Sequence, residues 1–285
     1  MVVPQSRPAV GRRVAALLVS AFTVGCGRAD AARFADEFDG PAIDRARWLV
    51  YTGRVYNDEL QRYVDDTLAL RIVRGAEAEG ADGGALLIHA RRAPGPRPDS
   101  GTAEFASGRL HGRATFQYGT VAARMKLPAG AGIWPAFWLL GEDAWPDHGE
   151  IDVMENVGDP RWVSAALHGP GYSGDTPLVR RDTFPAGDDA TRWHVYAVTW
   201  APDSIVFRVD GRAIYRVTRA DVARHGPPAA LDSAKYVVLN LAIGGGYPAA
   251  VNGVRAPRLG LPDSSARAVA DGRARVLVDW VRWTR

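Results

Sequence analysis

Trp145 to Gly158 reads WPDHGEIDVMENVG and sets three carboxylates, Glu150, Asp152 and Glu155, within six residues. A helix would turn Asp152 by about 200° and Glu155 by about 140° from Glu150, so the acids would not share a face. Ile151, Val153 and Met154 between them, and the closing Asn-Val-Gly, favour a strand instead. On a strand Glu150 and Asp152 point the same way, about 6.6 Å apart along the chain. Glu155 then has the wrong parity by one residue. A single β-bulge at Val153 or Met154 restores it, and bulges recur beside active sites because they re-aim a side chain.

Three acids on one face repel one another, and crowding raises the pKa of at least one of them. A carboxyl that keeps its proton beside one that has lost it is the pair that glycoside hydrolysis uses. A solvated acidic strand or a calcium site would also carry acids. Trp134, Trp138 and Trp145 nearby weigh against both.

Outward from this stretch, the chain shows alternating runs rather than helical periodicity. In YGTVAARMKL, Val121, Ala123, Met125 and Leu127 face one way and Thr120, Arg124 and Lys126 the other. Asp210-Gly211 joins two such runs, 204–209 and 212–217, as a hairpin. Further strands are expected at 85–91, 107–116, 135–141, 162–168, 193–200, 235–243 and 274–284, with helix only at 218–225 and 264–271. Many close strands with so little helix argue for an all-β sandwich or barrel. Nothing splits residues 33–285, which are expected to form one domain. The stretches 93–106, 169–191 and 244–272 are expected to be long loops rimming a cleft.

Of 35 basic residues only Lys126 and Lys235 are lysines, and no sustained basic run exists, so no nucleic-acid surface is expected. Arg7, Arg12 and Arg13 precede an apolar run, 14–24, that is shorter than the ~20 residues a membrane span needs. Residues 1–26 therefore read as an export signal. The run ends in Thr-Val-Gly-Cys, similar to a bacterial lipoprotein cleavage site at Cys26, the single cysteine. Thr23 stands where such sites usually carry Leu, which leaves ordinary secretion open. The chain is thus expected outside the cytoplasm as a monomer, meeting membrane only through a lipid at Cys26.

Trp134 and Trp138, four apart in GIWPAFWLLG, share one face of a strand, and Trp145 stands at the entrance to the acidic one. Flat aromatic faces suit pyranose rings. Asn57, Glu59, Gln61 and Tyr63, in NDELQRY, are read as a strand with four polar heads on one side. His168 is placed either against Glu155 or in a core contact, and His148 in a loop. There is no zinc-ligand spacing, nucleophile elbow or phosphate-cradling glycine loop.

HGEIDVMENVG resembles the active-site signature of glycoside hydrolase family 16, in the bulged form of its laminarinase-like β-1,3-glucanases. The resemblance extends in order through FADEFDG at 34–40, NDELQRY at 57–63, FASGRL at 105–110, GIWPAFWLLG, HGPGYSG at 168–174, WHVYAVTW at 193–200, VVLNLAIGG at 237–245 and LVDWVRW at 277–283. It implies a concanavalin A-like β-jelly-roll of two curved antiparallel sheets, with a β-glucan across the concave face. It implies an endo-acting, retaining hydrolase with Glu150 as nucleophile, Glu155 as general acid/base and Asp152 holding Glu150. Asn57, Arg109, Trp134, Trp138, Trp145, His168 and Asn240 would line the glycone side. Catalysis would need no cofactor. A structural Ca2+ would sit at Asp279 with backbone near Glu37 and Gly84. Other activities of the family, on mixed-linkage glucan or galactan, and a non-catalytic glucan-binding role are the alternatives. The chain departs from the family at GGGYPAAV, where Tyr247 replaces a tryptophan, in the long 248–272 insertion, and in the loop RRAPGPRPDSG.

Overall fold

The computed structural model describes residues 34–93 and 103–285. The leader reading of 1–26, with Cys26, and the central part of the 93–106 loop lie outside the described residues. The strands in chain order are β1 Phe34–Asp36, β2 Trp48–Val50, β3 Gln61–Tyr63, β4 Leu70–Arg74, β5 Gly84–His89 and β6 Arg91–Arg92. There follow β7 Phe105–Ser107, β8 Arg109–Phe116, β9 Gly119–Lys126, β10 Ile133–Gly141, β11 Glu150–Glu155 and β12 Trp162–His168. The last six are β13 Leu178–Thr183, β14 His194–Ala201, β15 Ser204–Val209, β16 Arg212–Thr218, β17 Lys235–Ile243 and β18 Arg275–Thr284. Four short helices interrupt them: α1 Arg219–Ala223, α2 Ala229–Asp232, α3 Gly246–Asn252 and α4 Asp263–Ala270.

Two antiparallel sheets form the expected sandwich. One runs β16-β15-β14-β9-β18-β5-β4 with β1 added beside β18, and the other runs β13-β12-β11-β10-β17-β8-β2. A third, small sheet, β3-β7-β6, contains a parallel pair, β3 with β7, which the all-antiparallel expectation did not include. Alternation explains the core. Val121, Ala123 and Met125 of β9 and Tyr196, Val198 and Trp200 of β14 turn inward from the first sheet. Phe137, Leu139, Ile151, Leu239 and Leu241 turn inward from the second. The opposite face of that second sheet is left open.

Local signals account for several joints. Asp210 and Gly211, at φ +49° and +79°, make the hairpin turn between β15 and β16. Thr218 caps α1 through a reciprocal box with Asp221. Three expectations need correction. The 169–191 stretch contains β13, a polar edge strand, and 244–272 contains α3 as well as the expected α4. Only 61–63 of the 57–63 segment is strand. Asn57 and Asp58 adopt φ near +55°, a left-handed turn that Asn and Asp tolerate better than other side-chain-bearing residues.

Candidate active site

The acidic strand β11 lies between β10 and β12. Three cross-strand rows follow: Leu140–Glu150–His168, Trp138–Asp152–Ala166 and Ala136–Glu155–Ser164. Against β12 the register slips between Asp152 and Glu155, and against β10 Val153 is skipped. This is the bulge that the parity of the acids required. It buries Val153 and Met154 in the core while Glu150, Asp152 and Glu155 keep to the open face. Gly149 sets the entry to the strand. It has φ +68°, and a Cβ there would stand 2.3 Å from Ala230 of α2. Fully buried Lys235 fixes the same loop, its Nζ donating to the carbonyls of His148 at 2.7 Å and Ser233 at 3.0 Å. Burial pulls that ammonium down to about 7. His148 itself lies in the loop, as expected.

Each glutamate accepts a hydrogen bond from a tryptophan indole: Glu150 from Trp145 at 2.9 Å and Glu155 from Trp134 at 2.9 Å. Asp152, 3 % exposed, sits between them, and His168 Nε2 stands 3.1 Å from its carboxylate. Sequence spacing left His168 open between Glu155 and a core contact; its partner is Asp152. No arginine or lysine among the described residues forms an ion pair with any of the three acids. Burial therefore dominates their titration. It lifts Glu150 to about 8, with the Asp152 charge adding to the rise. It lifts Glu155 to about 7, against the opposing pull of His168 and the Trp134 N–H. Asp152 is also pushed up by burial, and then by Glu155. The protons belong to the cluster as a whole, which holds them up to neutral pH. Glu150, Asp152 and His168 offer ligand atoms all within 4.8 Å of one another. A divalent cation lodging there would displace the protons that the buried cluster holds.

The other candidates lie along the same open face. Trp138 Nε1 donates to Asn240 Oδ1 at 2.7 Å, Asn240 Nδ2 to the Tyr63 hydroxyl at 3.2 Å, and that hydroxyl to Glu59 at 3.2 Å. Gln61 also donates to Glu59, at 2.5 Å. So Glu59, Gln61 and Tyr63 do converge, although not as one strand. Asn57 sits apart on the rim, exposed, its carbonyl accepting from Gly246 N–H at 2.7 Å. Arg109, on β8, lies under the rings of Tyr51 and Trp138, with its Cζ 4.6 and 4.8 Å from their centroids. Sequence reading missed Tyr51, His111, Ser164 and Tyr236. The alternation Arg109-x-His111 on β8 was the signal available for His111. Tyr247, noted only as a departure, packs edge-on against Trp134 at 5.3 Å, its hydroxyl 3.3 Å from Ser164.

The side chains at the expected calcium position, Asp279 with backbone near Glu37 and Gly84, already have protein partners. Asp279 Oδ2 is 2.5 Å from Arg124 Nη1, and Oδ1 accepts from the Asp82 N–H at 3.0 Å. Both carboxylate oxygens of Glu37 are taken by Arg282, at 2.9 and 2.8 Å. A Cβ on Gly84 would stand 2.3 Å from the Phe38 carbonyl, so the backbone is close there, while one Asp279 oxygen and both Glu37 oxygens meet guanidinium groups. A cation beside Asp279 would face the Arg124 charge.

Comparison with known proteins agrees with this geometry. A family model, Glycosyl hydrolases family 16, matches residues 54–252. Glucan endo-1,3-beta-glucosidase A1 of Niallia circulans is 32 % identical over 273 residues, 87 % of this chain, which spans 36 % of that protein's length. A beta-glucanase of Rhodothermus marinus is 32 % identical over 254 residues, covering 81 % of this chain and 83 % of the relative. The crystal structure of an endo-beta-1,3-glucanase from Pyrococcus furiosus matches with a TM-score of 0.75 at 35 % identity, covering 88 % of this chain and 92 % of that one. An acidic strand bulged to aim two glutamates at one open face, within a sandwich shared with these proteins, places the chain in glycosyl hydrolase family 16.

Proposed function

We propose that the protein hydrolyses internal β-1,3-glucosidic bonds of laminarin-like glucans with retention of configuration. The observation that carries this reading is the bulge in β11, which turns Glu150 and Glu155 to the same face, each held by an indole N–H. In the first step Glu155 gives its proton to the departing glycosidic oxygen while Glu150 attacks the anomeric carbon. The resulting glycosyl ester is opened by water, whose proton returns to Glu155. Asp152, beside Glu150 and His168, holds the nucleophile in place. Arg109, Trp138 and Asn240 line the groove on the glycone side, and Asn57 its rim. The linkage is supported by the names of two of these relatives, the glucan endo-1,3-beta-glucosidase A1 of Niallia circulans and the endo-beta-1,3-glucanase of Pyrococcus furiosus.

Release of reducing sugar from laminarin, lichenan, xyloglucan and agarose, measured side by side, tests the substrate. Laminarin should be cut fastest; a faster rate on any other polymer replaces the linkage assignment. We also propose that the chain is exported, on the arginines and short apolar run of residues 1–26. The mass of the mature N-terminus decides between a lipidated Cys26 and simple cleavage.

A further inference from the structure

Arg109 is a buried cation whose charge is felt by an acid, Glu59, that forms no ion pair with it. It is 7 % exposed and forms no ion pair with any carboxylate among the described residues. Ring faces surround it: the Arg109 Cζ lies 4.6 Å from Tyr51, 4.8 Å from Trp138 and 5.8 Å from Tyr63. Its one protein hydrogen bond among these residues runs from Nε to His111 Nε2, at 2.8 Å. A guanidinium carries five N–H donors in a rigid fork. One is spent on the imidazole, which leaves the two terminal nitrogens for oxygens that no described residue supplies.

The imidazole is itself clamped. Its ring stacks on Tyr51 at 4.8 Å and 15°, and Tyr236 lies against it at 5.2 Å and 38°. Since the Arg109 Nε–H can only donate, His111 Nε2 must be the lone-pair nitrogen and Nδ1 must carry the proton. Burial, together with the Arg109 charge, drives the imidazole down to about 3. It therefore stays neutral, and an acceptor, through the whole range in which the acids of β11 titrate. A histidine that protonated near neutrality would repel Arg109 on mild acidification.

The rows across the sheet say where this pair acts. Arg109 is opposite Asn240, and His111 opposite Val238, which is opposite Trp138, itself opposite Asp152. His111 thus stands three strands, about 14 Å, from the acidic strand along the open face. We propose that His111 is a positioning residue for glycone recognition: it pins the Arg109 fork so that the terminal nitrogens donate to hydroxyl oxygens of a neutral pyranose one or more units from the cleaved bond. This rests on the groove reading of Arg109 given above. The ligand class is a sugar hydroxyl rather than an anion, because the surrounding rings match the apolar face of a pyranose and no second cation joins Arg109 in these contacts.

The test uses His111→Leu, which removes the acceptor, and His111→Gln, which restores one through its amide oxygen. Both are assayed on whichever polymer the wild type cuts fastest, so a wrong linkage assignment does not confound the result. His111→Leu should raise KM about tenfold or more, the loss of one hydrogen bond to a charged group, with kcat within about twofold. His111→Gln should recover most of that loss, and the pH profile of kcat should be unmoved in both. An unchanged KM, a fall in kcat alone, or a Gln variant as impaired as the Leu variant would overturn the proposal. If His111→Leu does not fold, His111→Phe, which keeps a ring between Tyr51 and Tyr236 but no acceptor, takes its place with the same expected rise in KM and the same overturning results.

Discussion

The two sheets of the sandwich each carry a buried aspartate at a β-bulge, and the two aspartates have opposite fates. Asp152 flanks the bulge of β11 on the open face, 3 % exposed; Asp279 is the extra residue where β18 slips against β9, 2 % exposed. Backbone device and burial are alike. The partners differ. Asp279 meets the Arg124 guanidinium at 2.5 Å, which compensates its charge in place. Asp152 meets His168 and two further carboxyls and no arginine or lysine. A buried charge costs several kcal/mol unless it is paired. One bulge answers that cost with a counter-ion and becomes a fixed joint. The other answers it by holding protons, the state that the proposed chemistry needs.

The difference can be broken from the active side first. Glu155→Gln should lower kcat by roughly 10²–10⁴-fold, the usual contribution of a general acid/base, and Glu150→Gln by at least as much, with the fold intact by circular dichroism. Full activity in either variant removes that residue from its role. Asp152→Asn keeps the shape but not the charge beside Glu150, and a loss of roughly 10–100-fold in kcat is expected. From the structural side, Arg124→Leu should cost about 3 kcal/mol of stability, the low end for a broken buried pair because Arg124 is 23 % exposed, with turnover per folded molecule unchanged. Chelator or added calcium should leave the wild-type melting temperature where it was. A calcium-dependent rise would show a cation displacing Arg124.

The smallest effect sharpens the contrast through pH. Glu150 and Glu155 have folded pKa values, about 8 and about 7, raised above the ordinary carboxyl value near 4.5. Between those limits the folded state binds more protons than the unfolded chain, so stability declines as pH rises from about 4.5 toward 8. Glu150→Gln and Glu155→Gln each remove one group's share of that decline. Each should melt a few degrees above wild type at pH 7, the gap closing toward pH 4.5, as differential scanning calorimetry would record. Catalysis needs one carboxyl protonated and one ionised, so activity should fall away on the alkaline side as the raised cluster gives up its protons.

The contrast also shows what was legible in the linear chain. The catalytic bulge was, because three acids within six residues can share a face only if one residue is absorbed between them. The Asp210-Gly211 hairpin was legible too, as a local signal with a local solution. The other bulge was not. Arg124 and Asp279 are 155 residues apart, and only the pairing of β9 with β18 brings them together. The same applies to Trp138 with Asn240 and to His111 between Tyr51 and Tyr236. The misread segments have local causes. Asn57-Asp58 was taken as strand although both residues tolerate the left-handed region. In α3, within the stretch 244–272 that was read as a loop, Pro248 falls in the first turn, where a missing N–H costs little. The strand β13 reads Leu-Val-Arg-Arg-Asp-Thr, too polar to stand out, because it is an edge with little to bury.

The central claim is that the bulge in β11 brings two glutamates to one glycosidic bond, with Glu150 the one that bonds to sugar. The direct measurement is peptide mapping by mass spectrometry after incubation with a 2-deoxy-2-fluoro-β-glycoside carrying an activated leaving group, which slows breakdown of the glycosyl ester. The expected result is one added sugar on the peptide containing Glu150, absent in Glu150→Gln. A label on Glu155 or on a residue outside β11, or products of inverted configuration from the natural polymer, would contradict it.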